Sequence, residues 1–272
     1  MRAINRQPRS GARLLLAALP FVLVVILYLI GSALRLADNP QDKLLPALST
    51  FADTIDRMAL TPDSRTGEIL WWVDTAASLA RLLVALAIST LISLTIGVAI
   101  GLLPHVKALL GSFVGVVSMV PPLAILPILF IVLGLGEPSK ITLIIIGLAP
   151  VMIRDLALRT EELPRQQLIK AQTLGASTFG IVQRVVLPQI LPRLIDSLRL
   201  SLGPAWLFLI AAEAIASESG LGYRIFLVRR YLAMDVILPY VAWITLLAFL
   251  MDFGLQKLQN RLFPWFAAAR AA

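Results

Sequence analysis

The stretch KAQTLGASTFGIVQRVVLPQILP, which runs from Lys170 to Pro192, is polar and basic, although long apolar runs flank it on both sides. Hydrophobic residues make up 58% of the whole chain, and charged residues only 15%. This composition is typical of integral membrane proteins and unlike that of a water-soluble domain. We therefore expect an all-α membrane domain from which this stretch emerges as a loop.

The apolar runs around the loop are long enough to form transmembrane helices. A hydrocarbon core of ~30 Å needs roughly 20 helical residues to cross it. The first run follows a basic N-terminus, but it is too long for the apolar part of a signal peptide and no small-residue cleavage site follows, so we expect an uncleaved helix. We predict six spans, within residues 14–34, 75–103, 108–135, 140–158, 194–216 and 236–256.

The distribution of basic residues predicts the orientation of these spans. Most of the 24 Lys and Arg residues fall on segments that lie in the cytoplasm if both termini do, although Arg229 and Arg230 run against this bias. The net charge of +8 is thereby explained by cytoplasmic loops, and no nucleic-acid partner is expected. We divide the chain into an N-terminal tail, first helix and external segment (1–71), a five-helix core (72–262) with a cytoplasmic loop (159–192), and a cytoplasmic tail (263–272).

The local pattern of the loop predicts two short helices joined by a glycine elbow. Pro164 suits the first position of a helix, and Gly175 suits a left-handed residue that ends one. Ser177 can cap a second helix, which Pro188 would stop before Pro192 opens the fifth span. Such a segment is either an amphipathic loop lying on lipid headgroups or a knob that docks into another protein. A defined elbow favours the knob, because it fixes the angle between the two helices.

The spacing of the loop resembles the cytoplasmic EAA loop of permease subunits of bacterial ABC importers, whose pattern is E-A-A, three residues, G, nine residues, I-x-L-P. In that family the loop is a coupling helix that docks into a cleft of the ATP-hydrolysing subunit. Lys170 replaces the acidic residue and Gln172 the second alanine, so the resemblance does not imply the salt bridge of that acidic residue. The coupling residues implied by the resemblance are Lys170, Ala171, Gln172, Leu174, Gly175, Val185, Leu187 and Pro188.

The likeness extends over roughly residues 72–262. SLARLL at Ser78–Leu83, VPPLAILPILFIVLGLGEPSK at Val120–Lys140, LRLSLGPAWLFLIAAE at Leu198–Glu213 and GLGYRI at Gly220–Ile225 resemble the nitrate/taurine/alkanesulfonate class of these permeases. The resemblance implies a type I ABC importer permease fold in the bacterial inner membrane, working by alternating access. It also implies a homodimer, two ABC ATPase subunits and a periplasmic or lipid-anchored substrate-binding protein.

The solute implied by this class is small and polar, such as nitrate, a sulfonate, taurine, bicarbonate or a vitamin precursor. The sequence also resembles permeases that accompany urea or guanidine carboxylases, which would imply a small nitrogen compound. Selectivity in such systems is largely set by the binding protein, so both kinds of solute stay open at this point.

Prolines inside the third span predict a broken helix. Pro121, Pro122 and Pro127 each remove a backbone hydrogen bond and disfavour helical geometry in the preceding residue. Irregular backbone at membrane depth is tolerated where it is buried in protein or lines a water-filled cavity. The segment is therefore either a packed kink or part of the solute path. The family resemblance favours a pathway or gate role for Ser118, Met119, Pro121 and Pro122.

Glu213 lies in the apolar run LFLIAAEAIA, where a charge usually has a partner. A charge at the centre of a transmembrane helix costs about 2.5–3.5 kcal/mol on insertion scales. Arg81 and Arg199, which also fall within spans, are the candidate counter-ions. The resulting ion pair is either structural or acts on the solute path, and Trp206 would pack at the same helix interface.

Two glycines lie in SGLGY, Ser219–Tyr223, in a predicted external loop. Glycine-rich backbone can bind an anion through its amides, but the segment lacks the further glycines of a nucleotide fingerprint. We interpret it as a tight turn that a binding protein could contact.

The sequence offers no constellation for enzyme chemistry. It has no cysteine and a single histidine, and no G-x-x-x-x-G-K-[ST] occurs, so we expect neither a cofactor nor a metal. ATP hydrolysis would then take place on a partner subunit. The alternative function is an ion-coupled secondary transporter, which predicts inverted repeats and several intramembrane carboxylates. A membrane-embedded enzyme would instead need clustered His, Asp or Glu at membrane depth.

Overall fold

The computed structural model describes residues 10–40, 42–64 and 66–271, and all regular elements in these ranges are helical. Two short π-helical turns, Asp56–Leu60 and Val182–Val186, accompany the α-helices. The α-helices are α1 (Ser10–Asp38), α2 (Leu48–Ile55), α3 (Leu70–Leu102), α4 (Pro104–Val117), α5 (Pro122–Leu133), α6 (Glu137–Glu161), α7 (Arg165–Thr173), α8 (Thr178–Ile181), α9 (Leu187–Ala216), α10 (Leu221–Arg229), α11 (Met234–Leu262) and α12 (Pro264–Ala271). The predicted all-α class is confirmed.

Long apolar helices account for five of the six predicted spans. These helices are α1, α3, α6, α9 and α11, each with the length and hydropathy that a membrane crossing requires. The third predicted span consists of α4 and α5, which are bent by 96° at their junction. The predicted interruption is thus confirmed, and the described chain has six spans if the bent pair forms one crossing.

The chain forms two compact units. One comprises the described residues up to Ile69 together with Val228–Tyr240, and the other comprises Leu70–Leu227 together with the described residues from Val241 onward. We call the second one the core unit, because it contains α3 to α9.

In the first unit, polar contacts join the end of α1 to the chain that follows it. The Tyr28 hydroxyl donates to the carbonyl oxygen of Pro46 at 2.6 Å. Asp42 accepts from the backbone N–H of Leu44 at 2.8 Å and pairs with Arg35. The Leu44 amide and the Arg35 guanidinium together lower the pKa of the Asp42 carboxyl. These contacts order the turn between α1 and α2.

The core unit is centred on α6, which packs against both α3 and α9. Small residues allow the close approach of α3. A Cβ atom added to Gly97 would lie 2.9 Å from the Cβ of Leu156, and one added to Gly101 would lie 2.5 Å from the Cβ of Thr160. Such close backbone approach is the usual way in which membrane helices associate without a hydrophobic driving force.

The predicted end of the loop is wrong. Pro188 does not stop a short helix and Pro192 does not open the fifth span, because the helical chain is continuous from Thr178 to Ala216. A proline removes one hydrogen bond of the regular α-helical ladder and clashes with the carbonyl four residues earlier. The π-helical turn Val182–Val186 ends two residues before Pro188 and departs there from the regular α-helical hydrogen-bond pattern. The proline is therefore accommodated near the start of α9 without a break.

Candidate functional site

The glycine elbow of the loop is present at Gly175. Helix α7 ends there with two backbone hydrogen bonds, from Gly175 N to Gln172 O at 2.9 Å and from Ala176 N to Ala171 O at 3.0 Å. Gly175 has a φ of +79°, a left-handed conformation that favours glycine. This is the Schellman arrangement, which satisfies the last carbonyl groups of a helix. We call residues 165–188 the coupling elbow.

The second arm of the coupling elbow begins at Ser177. Its side chain accepts from the backbone N–H of Gly180 at 3.2 Å, as predicted for a helix cap. Gln189 donates to the side chain of Gln167 at 3.0 Å, which ties the start of α9 to α7. The capped ends and this contact fix the angle between the two arms.

Large apolar side chains are exposed on both sides of Gly175, within the coupling elbow. Leu174 is 79% exposed and Phe179 is 74% exposed. The coupling residues implied by the family resemblance fall into two groups. Exposed are Lys170, Gln172, Leu174 and Gly175, and partly buried are Ala171, Val185, Leu187 and Pro188. Phe179 is not among these residues, and its exposure adds it to the candidate docking surface.

Polar groups converge at the opposite end of the core unit, where α3 and α6 begin and α9 ends. Arg81 donates from Nε and Nη2 to the two carboxylate oxygens of Glu137, at 2.6 and 2.8 Å. It also donates from Nη1 to Glu213 at 2.7 Å and to the carbonyl oxygen of Ser219 at 2.8 Å. Lys140 approaches Glu137 at 2.9 Å. The predicted contact between Arg81 and Glu213 is therefore present, within a larger network.

Glu213 is fully buried and its carboxylate is well satisfied. It accepts from Ser78 Oγ at 2.8 Å and from the backbone N–H of Gly222 at 2.9 Å, in addition to Arg81. Charge-assisted hydrogen bonds of this kind offset the desolvation of a buried carboxylate. The exposed fraction of its side chain is 0%.

The turn Ser219–Tyr223 uses its amides to bind carboxylates and a hydroxyl of the same chain. Gly220 N donates to Asp74 at 2.9 Å, and Leu221 N donates to Ser78 Oγ at 2.8 Å. Arg224 pairs with Asp74 at 2.7 Å. Gly220 has a φ of +129°, and a Cβ atom there would lie 2.6 Å from the Glu213 carboxyl group. We call Asp74, Ser78, Arg81, Glu137, Glu213 and this turn the polar cluster.

The second candidate counter-ion of Glu213 belongs to a different pair. Arg199 donates to Asp252 at 2.7 and 2.9 Å and does not contact Glu213, so this part of the prediction is wrong. Arg199 and Glu213 both lie on α9, and at 1.5 Å of rise per residue they are separated by about 21 Å along this helix. Trp206 lies between them on the same helix and is buried.

The helix break predicted from the prolines lies between α4 and α5. Helix α4 ends at Val117, Pro121 is extended with ψ of 116°, and α5 begins at Pro122. Met119 is 73% exposed. Ser118 Oγ accepts a hydrogen bond from Arg154 Nη1 at 2.9 Å, a contact that the sequence did not predict.

Asp74, Glu137 and Arg154 were not predicted as site residues. Asp74 lies near the start of α3, two residues after Trp72, and Glu137 stands in the first turn of α6. Their positions at helix ends made them look like ordinary solvated charges, and only the packing of three helices brings Asp74 and Glu137 into the polar cluster. Among the described residues, no group of His, Cys, Asp and Glu is arranged to hold a metal ion.

Residues 92–266 match the family described as binding-protein-dependent transport system inner membrane component, and the chain belongs to this family. It is thus a permease subunit of an ABC importer, and the family assignment decides against an ion-coupled carrier. The family is not catalytic, since the ATPase is a separate subunit, and this confirms the prediction of a non-enzyme. Family membership also implies an ATPase and a substrate-binding protein as partners, and a location in the inner membrane.

Named relatives place the chain in the predicted class. The taurine transport system permease protein TauC of Escherichia coli (strain K12) is 41% identical over 195 residues, covering 71% of this chain and 70% of the relative. The bicarbonate transport system permease protein CmpB of Synechococcus elongatus is 30% identical over 193 residues, covering 70% and 69%. The putative aliphatic sulfonates transport permease protein SsuC of Escherichia coli (strain K12) is 31% identical over 160 residues, covering 58% and 60%.

A solved structure supports the predicted fold. The inward-facing methionine ABC transporter MetNI superposes with a TM-score of 0.60 at 20% identity, covering 68% of this chain and 92% of that chain. At this identity the match concerns the fold alone, and the type I permease fold is confirmed.

Proposed function

We propose that the chain forms one half of a homodimeric permease and that the coupling elbow of each copy docks onto one of two ATPase subunits. The observation that carries this proposal is the exposure of Leu174 and Phe179 on either side of a capped and hydrogen-bonded turn. Exposed apolar side chains that are held in fixed positions favour a partner with a matching pocket.

The competing interpretation is that the loop lies on lipid headgroups. A helix of that kind presents one continuous apolar face to the bilayer. Helix α7 reads RQQLIKAQT and is mostly polar, and Gly175 turns the chain away from it after Thr173. These features support docking to protein over binding to lipid.

The opposite positions of the coupling elbow and the polar cluster within the core unit support a mechanism of alternating access. In the proposed orientation the coupling elbow is cytoplasmic and the polar cluster faces the outer side, where a binding protein would meet the turn Ser219–Tyr223. ATP-driven closure of the two ATPases draws the two elbows together and opens the outer end. The break at Ser118, Met119, Pro121 and Pro122 lines the solute path, which accounts for irregular backbone within a membrane span.

The proposed solute is a small sulfonate or a similar polar compound. The support is the 41% identity to a taurine permease together with the likeness to a sulfonate permease. A urea- or guanidine-like solute is the competing proposal. The two differ in charge, so uptake of labelled taurine and labelled guanidine, each with and without ATP, distinguishes them.

Recovery of the ATPase from mild detergent tests the docking proposal. Gly175→Pro removes the amide bonded to Gln172 and forbids the left-handed φ, whereas Gly180→Ala changes a helical glycine of the same loop. We expect tagged wild type and Gly180→Ala to retain an ATPase with a Walker A motif, and Gly175→Pro to lose it. Equal recovery with all three variants contradicts the proposal. The mass of the purified complex reports whether two copies of the chain are present.

A further inference from the structure

Arg154 lies within the membrane-spanning helix α6, about two turns before this helix ends at Glu161. Its side chain is exposed on the surface of the single chain. A charged residue in a membrane helix is costly and usually faces a partner, a cavity or an ion path.

The other cations of α3, α6 and α9 are each neutralised by a carboxylate. Their partners are Glu213 and Glu137 for Arg81, Glu137 for Lys140, Asp155 for Arg159, Glu162 for Arg193 and Asp252 for Arg199. Arg154 forms no salt bridge with any described residue, and its described side-chain contact is to a neutral hydroxyl group. Its guanidinium is therefore not paired with a carboxylate of the described residues.

The contact with Ser118 directs this charge toward the helix break. Arg154 Nη1 donates to Ser118 Oγ at 2.9 Å, and Ser118 Oγ donates to the carbonyl oxygen of Gly115 at 2.8 Å. The hydroxyl thus holds the guanidinium beside the backbone that joins α4 to α5. A guanidinium has five N–H donors, and one of them is used in the described contacts of Arg154, so the others can bind an oxyanion in a forked geometry.

We infer that Arg154, held by Ser118, forms an anion-binding subsite on the solute path and takes the sulfonate or carboxylate group of the solute. This inference rests on the proposed function, because it assumes that the break lines the path. The same chemistry would suit the phosphate of a lipid headgroup, since long basic side chains near a helix end extend toward the membrane surface. The fixed contact at the break favours the solute.

Cysteine labelling tests the subsite without relying on transport. The chain has no cysteine, so Met119→Cys introduces a single thiol beside Ser118. The assembled transporter in phosphatidylcholine liposomes is treated with methanethiosulfonates that carry either a sulfonatoethyl or a trimethylammonioethyl group. We expect the sulfonate reagent to be favoured, and Arg154→Gln to reduce this preference by about fivefold, which corresponds to the ~1 kcal/mol between two unit charges about 4 Å apart in water.

Arg159→Gln is the matched control. It removes an equal charge from the same helix, but this charge is already paired with Asp155. Its reagent preference should equal that of Met119→Cys alone, and an equal preference in Arg154→Gln overturns the inference. Millimolar taurine should slow labelling only while Arg154 is present. If phosphatidylglycerol slows it and taurine does not, the anion is a lipid and the solute assignment is overturned. If Arg154→Gln does not assemble, Ser118→Ala must lower the preference instead, and an unchanged ratio overturns the inference.

Transport then separates this inference from the proposed function. In liposomes with the ATPase and the binding protein, wild type should take up taurine with ATP, and Arg154→Gln should reduce uptake about tenfold, with partial rescue by Arg154→Lys. Wild type that does not move taurine contradicts the proposed solute, whatever the labelling shows. Uptake in Arg154→Gln equal to that of an active wild type overturns the subsite.

Discussion

At one end of the core unit Glu213 is fully buried and accepts hydrogen bonds from Arg81, Ser78 and Gly222, whereas at the other end Leu174 and Phe179 are largely exposed. The polar cluster encloses charges that would be expensive to bury alone, and it satisfies them internally. The coupling elbow does the reverse, because it exposes apolar side chains that water solvates poorly. The first region is therefore complete within one chain, and the second is suited to a partner.

The largest effect should follow from removing one charge of the polar cluster. Arg81→Ala leaves Glu213 buried without its cation, and breaking a buried pair in this way costs about 3–5 kcal/mol of stability. The control is Lys107→Ala, whose ion pair with Glu161 is exposed and should cost about 0–1 kcal/mol. Thermal unfolding in detergent measures both, and similar melting temperatures for the two variants would contradict the importance of the cluster.

Gly220 in the polar cluster and Gly175 in the coupling elbow both have a positive φ, so the same substitution at each position compares the stability of the two regions. Gly220→Ala strains the backbone and pushes a methyl group to 2.6 Å from the Glu213 carboxyl group, so we expect a loss of about 2–3 kcal/mol. Gly175→Ala meets nothing within 4 Å and should cost only the left-handed conformation, about 1 kcal/mol.

The control for both is Gly203→Ala, a glycine inside α9 with open space around its Cβ position. Alanine is the better helix former, so this variant should be as stable as wild type or up to about 1 kcal/mol more stable. Melting temperatures should then fall in the order Gly203→Ala, Gly175→Ala, Gly220→Ala. An equal loss at Gly175 and Gly220 would mean that the polar cluster adds nothing to the backbone strain.

The smallest effect on stability, together with a large effect on binding, is expected at the exposed apolar residues. Leu174→Ser and Phe179→Ser should change the free energy of unfolding by no more than about 0.5 kcal/mol, since these side chains are already in water. Recovery of the ATPase should nevertheless fall strongly. Gln166→Ser, an exposed polar change in α7, should leave recovery unchanged. Loss of stability in parallel with loss of the ATPase would show that the elbow is not a separate docking surface.

Features that depend on neighbouring residues were predictable from the sequence. Gly175 and Ser177 are close to each other in the chain, and their roles follow from backbone geometry alone. The break at Pro121 and Pro122 is equally local, because proline acts on its own and the preceding residue. The need for a counter-ion near Glu213 followed from the cost of an intramembrane charge.

Features that depend on distant residues were not predictable. That Arg81 meets Glu213 depends on which faces of α3 and α9 pack against each other, and no local pattern encodes this. Arg199, in contrast, could have been excluded from the sequence, because the predicted fifth span places it about 21 Å from Glu213 along one helix. Asp74 enters the cluster only because the turn at Gly220 returns to α3. The continuity of the helix through Pro188 was missed for another reason, because proline statistics describe the α-helix and do not anticipate a π-helical turn.

The uninterrupted helix from Thr178 to Ala216 can act as a rigid lever that connects the coupling elbow to the polar cluster. It starts within the coupling elbow, three residues after Gly175, and its far end carries Glu213, which is held by hydrogen bonds in the polar cluster. At 1.5 Å per residue the arm is about 58 Å long, so a 5 Å displacement at Thr178 corresponds to a tilt of about 5° around a fulcrum at Glu213. Movements of the ATPase subunit would thus be transmitted to the outer side as small rotations of this helix. The π-helical turn Val182–Val186 is the position at which the helix would bend first.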